Sequence, residues 1–237
     1  MAETMMVVSG KGGVGKSTLC TGIAAGLARR GSRVLLIEGH MGFRCQDILL
    51  GLEGNTVFDF SDVAEGRCTP AQAILTHDPT GIRLLPAAAD PAYLPRPEAL
   101  AALCRQAGQV FDYILFDCGA GYDAFQKMLT GCCSMALLIS TPDEAAVRAA
   151  GRVSGFVAAS GLLRQLLIIT KVPKVLPAGT PIRDLDDVID LVGARLIGAV
   201  PQEEFPPWPV RGRITPARRE MDNIAGRLLG EDIDLYY

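Results

Sequence analysis

The sequence lacks any apolar run near the ~20 residues that cross a bilayer as a helix, so no membrane span is predicted. It also lacks a basic amino-terminal region followed by a short hydrophobic stretch, which indicates that there is no secretory signal peptide. An excess of basic residues is missing too, because 23 Lys and Arg against 26 Asp and Glu leave a net charge of −3. These absences predict a cytoplasmic protein whose main task is not to bind nucleic acid.

The cysteines form no C-x-x-C pair, and their number is odd. Both features favour reduced thiols over a disulfide framework. The sequence also contains no repeat or low-complexity segment, and 49% of its 237 residues are hydrophobic. That composition can fill one sizeable core, so a single domain over residues 1–237 is predicted.

One glycine-rich stretch carries the strongest chemical signal. It follows the apolar run 5–8 and precedes residues 19–30, where Leu19, Ile23 and Leu27 recur at helical spacing. The stretch reads Gly10, Lys11, Gly12, Gly13, Val14, Gly15, Lys16, Ser17 and Thr18, which matches G-x-x-x-x-G-K-[ST]. A loop of this kind between a strand and a helix directs backbone N–H groups at phosphate, and the helix dipole adds to the attraction.

Each polar side chain of this loop has an expected task. Lys16 would reach the β- and γ-phosphates, and Ser17 would ligate Mg²⁺. Thr18 is placed to contact the α-phosphate. The pattern therefore predicts a site for ATP with Mg²⁺.

A second lysine, Lys11, lies inside the loop. The run K-G-G-V-G-K-S-T resembles the signature of the MinD/ParA/Mrp family of P-loop ATPases, most closely its MinD branch. The resemblance implies a nucleotide-dependent homodimer in which Lys11 reaches the phosphates bound by the partner subunit. An extended ammonium can stabilise charge on a phosphoryl group, so Lys11 and Lys16 are the catalytic cations expected here.

The segment 37–47 occupies the position of switch I and departs from the family pattern, D-x-D followed by G-L-R-N-x-D. Glu38 replaces the first aspartate, His40 the second and Cys45 the asparagine. The second aspartate usually orients the attacking water. His40 either accepts a proton or holds a water in its place, or it simply caps the strand end. We therefore place Glu38 and His40 in the catalytic set, expect slow hydrolysis, and expect aspartate at both positions to raise it.

Residues 111–117 form an apolar strand that ends in Asp117, as in a Walker B element. The carboxylate of Asp117 would hold Mg²⁺ through water. The stretch from Asp117 to Gly121 resembles the family's D-x-P-A-G switch II, and the resemblance implies that the Gly121 N–H meets the γ-phosphate. Gly119 stands where the family has proline, so a looser loop is expected.

Three further segments resemble family elements around the nucleotide. Asp143 matches an acidic position that contacts the partner's nucleotide. Ala149 follows Arg148 where MinD proteins usually carry an aspartate that pairs with the signature lysine, so Lys11 is expected to lack that resting partner. The remaining matches are expected to contact the base, and they are Thr170, Lys171, Pro201 and Gln202.

Alternating apolar strands and amphipathic helices, with both phosphate elements at strand ends, predict an α/β fold with a doubly wound, mostly parallel sheet. The resemblance implies the SIMIBI type of P-loop NTPase and a spatial regulator, most simply of division-site placement. An unidentified protein regulator is the expected partner. The residues from Glu231 to Asp234 are acidic and no amphipathic anchor follows them, so weak or no direct membrane binding is expected, with any membrane contact made through a partner.

Two other functions remain open. A ParA-like DNA-partitioning ATPase has only four arginines in its favour, at positions 211, 213, 218 and 219, and acidic neighbours make DNA an unlikely partner. A nucleotide-binding regulator without catalysis is suggested by the altered switch I. The stretch 205–209, Phe-Pro-Pro-Trp-Pro, interrupts the family pattern and has no assigned function.

Overall fold

A computed structural model describes residues 2–176, 179–203 and 214–235. Strands and helices alternate along these residues, as the hydrophobic pattern predicts. The strands are β1 (Glu3–Ser9), β2 (Val34–Gly39), β3 (Leu75–His77), β4 (Ile82–Leu85), β5 (Tyr113–Ala120), β6 (Met135–Ser140), β7 (Gln165–Val172) and β8 (Arg195–Pro201). The helices are α1 (Lys16–Arg29), α2 (Gln46–Leu50), α3 (Phe60–Ala64), α4 (Pro70–Ala73), α5 (Pro97–Val110), α6 (Ala124–Leu129), α7 (Glu144–Ala159), α8 (Leu185–Val192) and α9 (Pro216–Leu228).

The eight strands form one sheet in the order β3-β4-β2-β5-β1-β6-β7-β8. Neighbouring strands are parallel except β3 and β4, which are antiparallel. The predicted doubly wound, mostly parallel α/β fold is therefore confirmed. Because β1 lies between β5 and β6, the crevice at its carboxyl end is where such sheets bind ligands.

Both faces of the sheet are covered by helices. Side chains on β1 alternate, so Met6 and Val8 join one apolar cluster while Met5 and Val7 join the other. Helices α5 to α8 cover the first face, and α1 and α9 cover the second. Burial on two sides explains why the central strands are continuous apolar runs, since neither face meets water.

The sequence missed several short elements. The sequence of residues 70–75 predicts a short helix, but the helix ends at Ala73 and Leu75 begins edge strand β3, opposite Leu84. The short helices α2, α6 and α8, of five, six and eight residues, were not predicted. Helix α6 did carry a local signal, since Asp123 and Gln126 form a capping box.

No helix among the described residues is long and apolar enough to cross a membrane. The stretch 205–209 lies outside the described residues, as do Arg211 and Arg213.

Candidate functional site

The glycine-rich loop connects β1 to α1 and lines a cavity of ≈ 600 Å³. Gly13 and Gly15 have φ angles of 74° and 90°, which a residue with a Cβ rarely adopts. Gly15 is the N-cap of α1 and supplies no side-chain hydrogen bond to the helix. The first-turn N–H groups of α1 therefore have no capping side chain and open onto the cavity, which suits an anion such as phosphate.

Lys16 lines this cavity and forms an ion pair with the buried Asp117 behind it. The Lys16 Nζ lies 3.3 Å from Asp117 Oδ1, and their side chains are 11% and 1% exposed. Ser17 is the next residue of α1 and lines the same cavity. A hydroxyl, a carboxylate and phosphate oxygens are the hard donors that Mg²⁺ prefers, so the side chains present fit Mg·ATP.

Lys11 has a partner that the sequence did not predict. Its Nζ lies 3.0 Å from Asp143 Oδ1, with the two side chains 48% and 45% exposed. Asp143 is also the N-cap of α7, where it accepts from Ala146 N at 3.1 Å. The aspartate that the family places after the helix arginine is absent, since residue 149 is alanine, and Asp143 is the resting partner of Lys11 instead. An exposed pair contributes at most about 1 kcal/mol, so Lys11 can exchange Asp143 for a phosphate at little cost.

His40 lines the cavity opposite the loop. Its ring stacks on Phe43 with centroids 4.5 Å apart. A Cβ at position 119 would lie 3.2 Å from His40 Cδ2, so glycine at 119 leaves space for the ring. Burial, helped by the charge of Lys16, lowers the pKa of His40 below its usual value, so the ring is neutral at pH 7.

Gly119 itself is held in place. It lies in β5, and its carbonyl accepts a hydrogen bond of 2.9 Å from the buried Gln126 Nε2. This contact from α6 restrains Gly119, and the looser loop expected from the loss of proline stays a prediction.

Glu38 is fully buried and is absent from the side chains that line the cavity. Its carboxylate accepts from the backbone N–H groups of Cys45, Gln46 at 3.0 Å and Ala87 at 3.4 Å. Although burial raises the pKa of Glu38, these amide donors favour the charged form. The catalytic assignment of Glu38 does not fit this geometry, because its oxygens already anchor the switch I backbone.

Two of the four residues expected to read the base contact the phosphate loop. Thr170 Oγ1 donates to the Val14 carbonyl at 2.5 Å, and Lys171 Nζ donates to the Gly13 carbonyl at 2.7 Å. These contacts tie the end of β7 to the loop. Gln202 lines the cavity, and Pro201 ends β8 beside it. Base contacts from any of these four residues stay a prediction.

The Gly121 N–H, expected to meet the γ-phosphate, donates to the Ser9 carbonyl at 2.8 Å. Gly121 has a φ of 92° and lies beside Asp143 in a neighbouring cavity. A direct contact with phosphate would require this hydrogen bond to open.

Sequence reasoning missed Gln46. It follows Cys45 in switch I, is fully buried, and contacts Asp117. Gln46 occupies the variable position x of the switch I pattern G-L-R-N-x-D. Only a polar side chain beside the buried residues of switch I could have indicated its role from the sequence.

The sequence and the fold of this chain are similar to those of known proteins. The profile of the CobQ/CobB/MinD/ParA nucleotide binding domain matches residues 5–215. The septum site-determining protein MinD of Synechocystis sp. is 32% identical over 243 residues, covering 98% of this chain and 91% of that protein.

Among solved structures, the MinC:MinD cell division protein complex of Aquifex aeolicus matches with a TM-score of 0.88 and 30% identity, covering 100% of this chain and 99% of that one. Septum site-determining protein MinD of Pyrococcus horikoshii, complexed with Mg-ADP, matches with a TM-score of 0.79 over 96% of both chains. At 20% identity, that second match shows the fold alone.

Proposed function

The chain belongs to the CobQ/CobB/MinD/ParA family of nucleotide-binding domains, and we propose that it is a MinD-like, Mg·ATP-dependent regulator of division-site placement. The family membership predicted from the double-lysine loop is confirmed. MinD proteins are its curated relatives at about 30% identity over nearly the whole chain. The observation that carries the proposal is the uncapped start of α1 beside Lys16, with a second lysine, Lys11, on the same loop.

Nucleotide binding follows from the chemistry of the loop. The N–H groups at the start of α1 and the Lys16 ammonium supply positive charge to the β- and γ-phosphates. Ser17 and Asp117 would hold Mg²⁺, which neutralises phosphate charge when bound. The Pyrococcus relative is named as a complex with Mg-ADP, which supports this choice of ligand.

Dimerisation would use Lys11. Its ammonium lies about half exposed on the loop and is held by Asp143 at the surface. A partner subunit that presents a phosphate to Lys11 offers a stronger, charge-assisted contact than this exposed pair. Nucleotide in both subunits thereby favours the dimer. The relative from Aquifex is named as a complex with MinC, and we propose a protein regulator as a further partner.

Lys11→Ala is expected to abolish most of the ATP-dependent dimer while leaving nucleotide binding to the monomer. Light scattering after size exclusion, with Mg²⁺ and a non-hydrolysable ATP analogue, measures the dimer fraction. Calorimetry on the same variant measures binding. Lys127→Ala removes an exposed lysine outside the cavity and should dimerise like wild type. Equal dimer fractions in wild type and Lys11→Ala would remove the proposed role of Lys11.

Hydrolysis is proposed to be slow because His40 stands where the family orients water with a carboxylate. An imidazole, unlike a carboxylate, adds no negative charge at this point; burial, with the charge of Lys16, lowers the pKa of His40. A non-catalytic regulator that only binds nucleotide is the second candidate, favoured by the same residue. For the DNA-partitioning alternative, Arg218 and Arg219 lie on α9 beside the acidic Glu220.

His40→Asp is expected to raise single-turnover ATP hydrolysis by roughly tenfold or more, because a correctly placed carboxylate can orient the attacking water. ATP affinity should stay nearly unchanged. Rapid-quench measurement of phosphate release, with calorimetry on the same sample, separates these quantities.

Glu38→Asp serves as the comparison. A shortened carboxylate no longer reaches the amides of Cys45 and Gln46, so this variant is expected to lose stability without gaining rate. We therefore expect different effects at the two positions, although the family pattern has aspartate at both. Should His40→Asp slow hydrolysis, His40 would be a working catalytic group and the proposal of a weakened switch I would fail.

A further inference from the structure

Gln46 joins three parts of the nucleotide site inside the core. It opens α2 in switch I and is 0% exposed. Its Nε2 donates to Asp117 Oδ2 at 2.7 Å and to the Ser17 carbonyl at 3.1 Å. Switch I, the end of β5 and the first turn of α1 therefore meet at one amide.

The amide of Gln46 has partners at both ends. Its two N–H groups have the two acceptors just named. Its Oε1 lies 2.6 Å from the Thr21 hydroxyl, whose single proton is shared between Oε1 and the Ser17 carbonyl at 2.9 Å. Thr21 is also buried and lies one helical turn after Ser17. A buried amide with donors and acceptor both partnered has a preferred orientation.

The backbone of Gln46 is fixed as firmly as its side chain. Its N–H donates to the buried Glu38 carboxylate at 3.0 Å. Glu38 thus holds the start of α2 from β2, and Gln46 carries that constraint to Asp117.

The two carboxylate oxygens of Asp117 consequently have different surroundings. Oδ1 faces Lys16 at 3.3 Å, on the side of the cavity, and Oδ2 faces the Gln46 amide. We infer that Gln46 is a positioning residue, which orients the Asp117 carboxylate for the magnesium ion and couples that carboxylate to switch I. This inference rests on the proposed Mg·ATP function and names the residue that prepares its metal site.

An apolar side chain at position 46 would fill the same space but could not orient the Asp117 carboxylate. Without the amide, Asp117 Oδ2 stays buried but loses its neutral hydrogen-bond donor, so the carboxylate can rotate about the Cβ–Cγ bond. Removing partners of this kind behind a metal-binding group typically costs 10- to 100-fold in metal affinity. The effect belongs to the metal-dependent part of nucleotide binding, since Gln46 is absent from the residues that line the cavity.

The test is a Mg²⁺ titration of the full chain, followed by the fluorescence of a labelled ATP analogue. Gln46→Met keeps an unbranched side chain of similar length and removes the amide. In this variant we expect the Mg²⁺ concentration that produces half of the fluorescence change to rise about tenfold. Affinity for the analogue in EDTA should stay within about twofold of wild type, because the loop and Lys16 are unchanged.

Thr21→Val tests the same coupling from the other side. It removes the hydroxyl that orients Gln46 and keeps the shape of the side chain. We expect a smaller shift in the same direction, and a double variant that shifts no further than Gln46→Met alone, since both changes act on Asp117 through one amide.

Gln165→Met is the matched control. Its amide also donates to two backbone carbonyls, of Ser154 and Leu162, both at 3.2 Å, but it lies at the amino end of β7, whereas the loop lies at the carboxyl ends of the strands. Its melting temperature should fall without a change in Mg²⁺ dependence. An unchanged Mg²⁺ requirement in a folded Gln46→Met, or an equal shift in Gln165→Met, would overturn the inference. Mg²⁺-independent binding by wild type would overturn the metal site proposed above, and the inference with it.

Discussion

Replacing Lys16 with alanine is expected to weaken Mg·ATP binding by about ten- to a hundredfold. The ammonium lies at the start of α1, is largely buried, and has Asp117 as its resting partner. A hydrogen bond to a charged group contributes about 1.5–3 kcal/mol, and ~1.4 kcal/mol corresponds to tenfold in affinity. Isothermal titration calorimetry with a non-hydrolysable analogue measures the loss directly.

The control for this variant is Lys127→Ala, which removes the same charge from an exposed position on α6. Its affinity should equal that of wild type. Lys16→Ala also leaves the buried Asp117 with Gln46 as its remaining hydrogen-bond partner, so the melting temperature of each variant should be recorded to exclude unfolding. A folded Lys16→Ala with unchanged affinity would show that the glycine-rich loop is not the nucleotide site.

Gly10→Ala is expected to lower the free energy of unfolding by about 2–3 kcal/mol. A Cβ on Gly10 would overlap the carbonyl carbon and oxygen of Ala149, so helix α7 would have to move away from the loop. Forcing extra atoms into a packed contact usually costs about 1–3 kcal/mol, and backbone on both sides leaves little room to relax. Urea denaturation followed by circular dichroism measures the change.

Gly12→Ala is the matched control two residues away. A Cβ on Gly12 would meet nothing within 4 Å, and Gly12 is absent from the residues with positive φ. Its stability should therefore lie within about 0.5 kcal/mol of wild type. Similar losses in both variants would mean that α7 does not pack against the loop as described.

The same contact has a functional consequence. Helix α7 begins at Asp143, the residue that holds Lys11. A displaced α7 in Gly10→Ala would carry Asp143 away from the loop. The resting position of Lys11 therefore depends on Gly10, the first glycine of the phosphate-binding pattern.

Local spacing was enough to predict the phosphate loop and its two cations. The pattern from Gly10 to Thr18 is contiguous, and its chemistry depends on backbone N–H groups that a strand–loop–helix unit places by itself. Asp117 could be predicted for a similar reason, because an apolar strand of a parallel sheet delivers its last residue to the same edge.

The parts of the site that the sequence did not predict depend on contacts between distant segments. Lys11 and Asp143 are 132 positions apart, and Gln46 and Asp117 are 71 apart. The family pattern placed Glu38 with His40, yet Glu38 lies within β2 and is buried, whereas His40 follows the end of the strand and lines the cavity. Which polar atoms meet each of these side chains is set by other elements of the fold.

The sequence by itself determined the fold class, the phosphate loop and the likeness to MinD proteins, because periodicity and a contiguous motif act over a few residues. Only the tertiary structure decided which polar groups are already bonded: Thr170 and Lys171 to the loop, Glu38 to switch I, and Gln46 to Asp117. A buried polar group must find a partner wherever the packed elements bring one, and that choice is made in three dimensions.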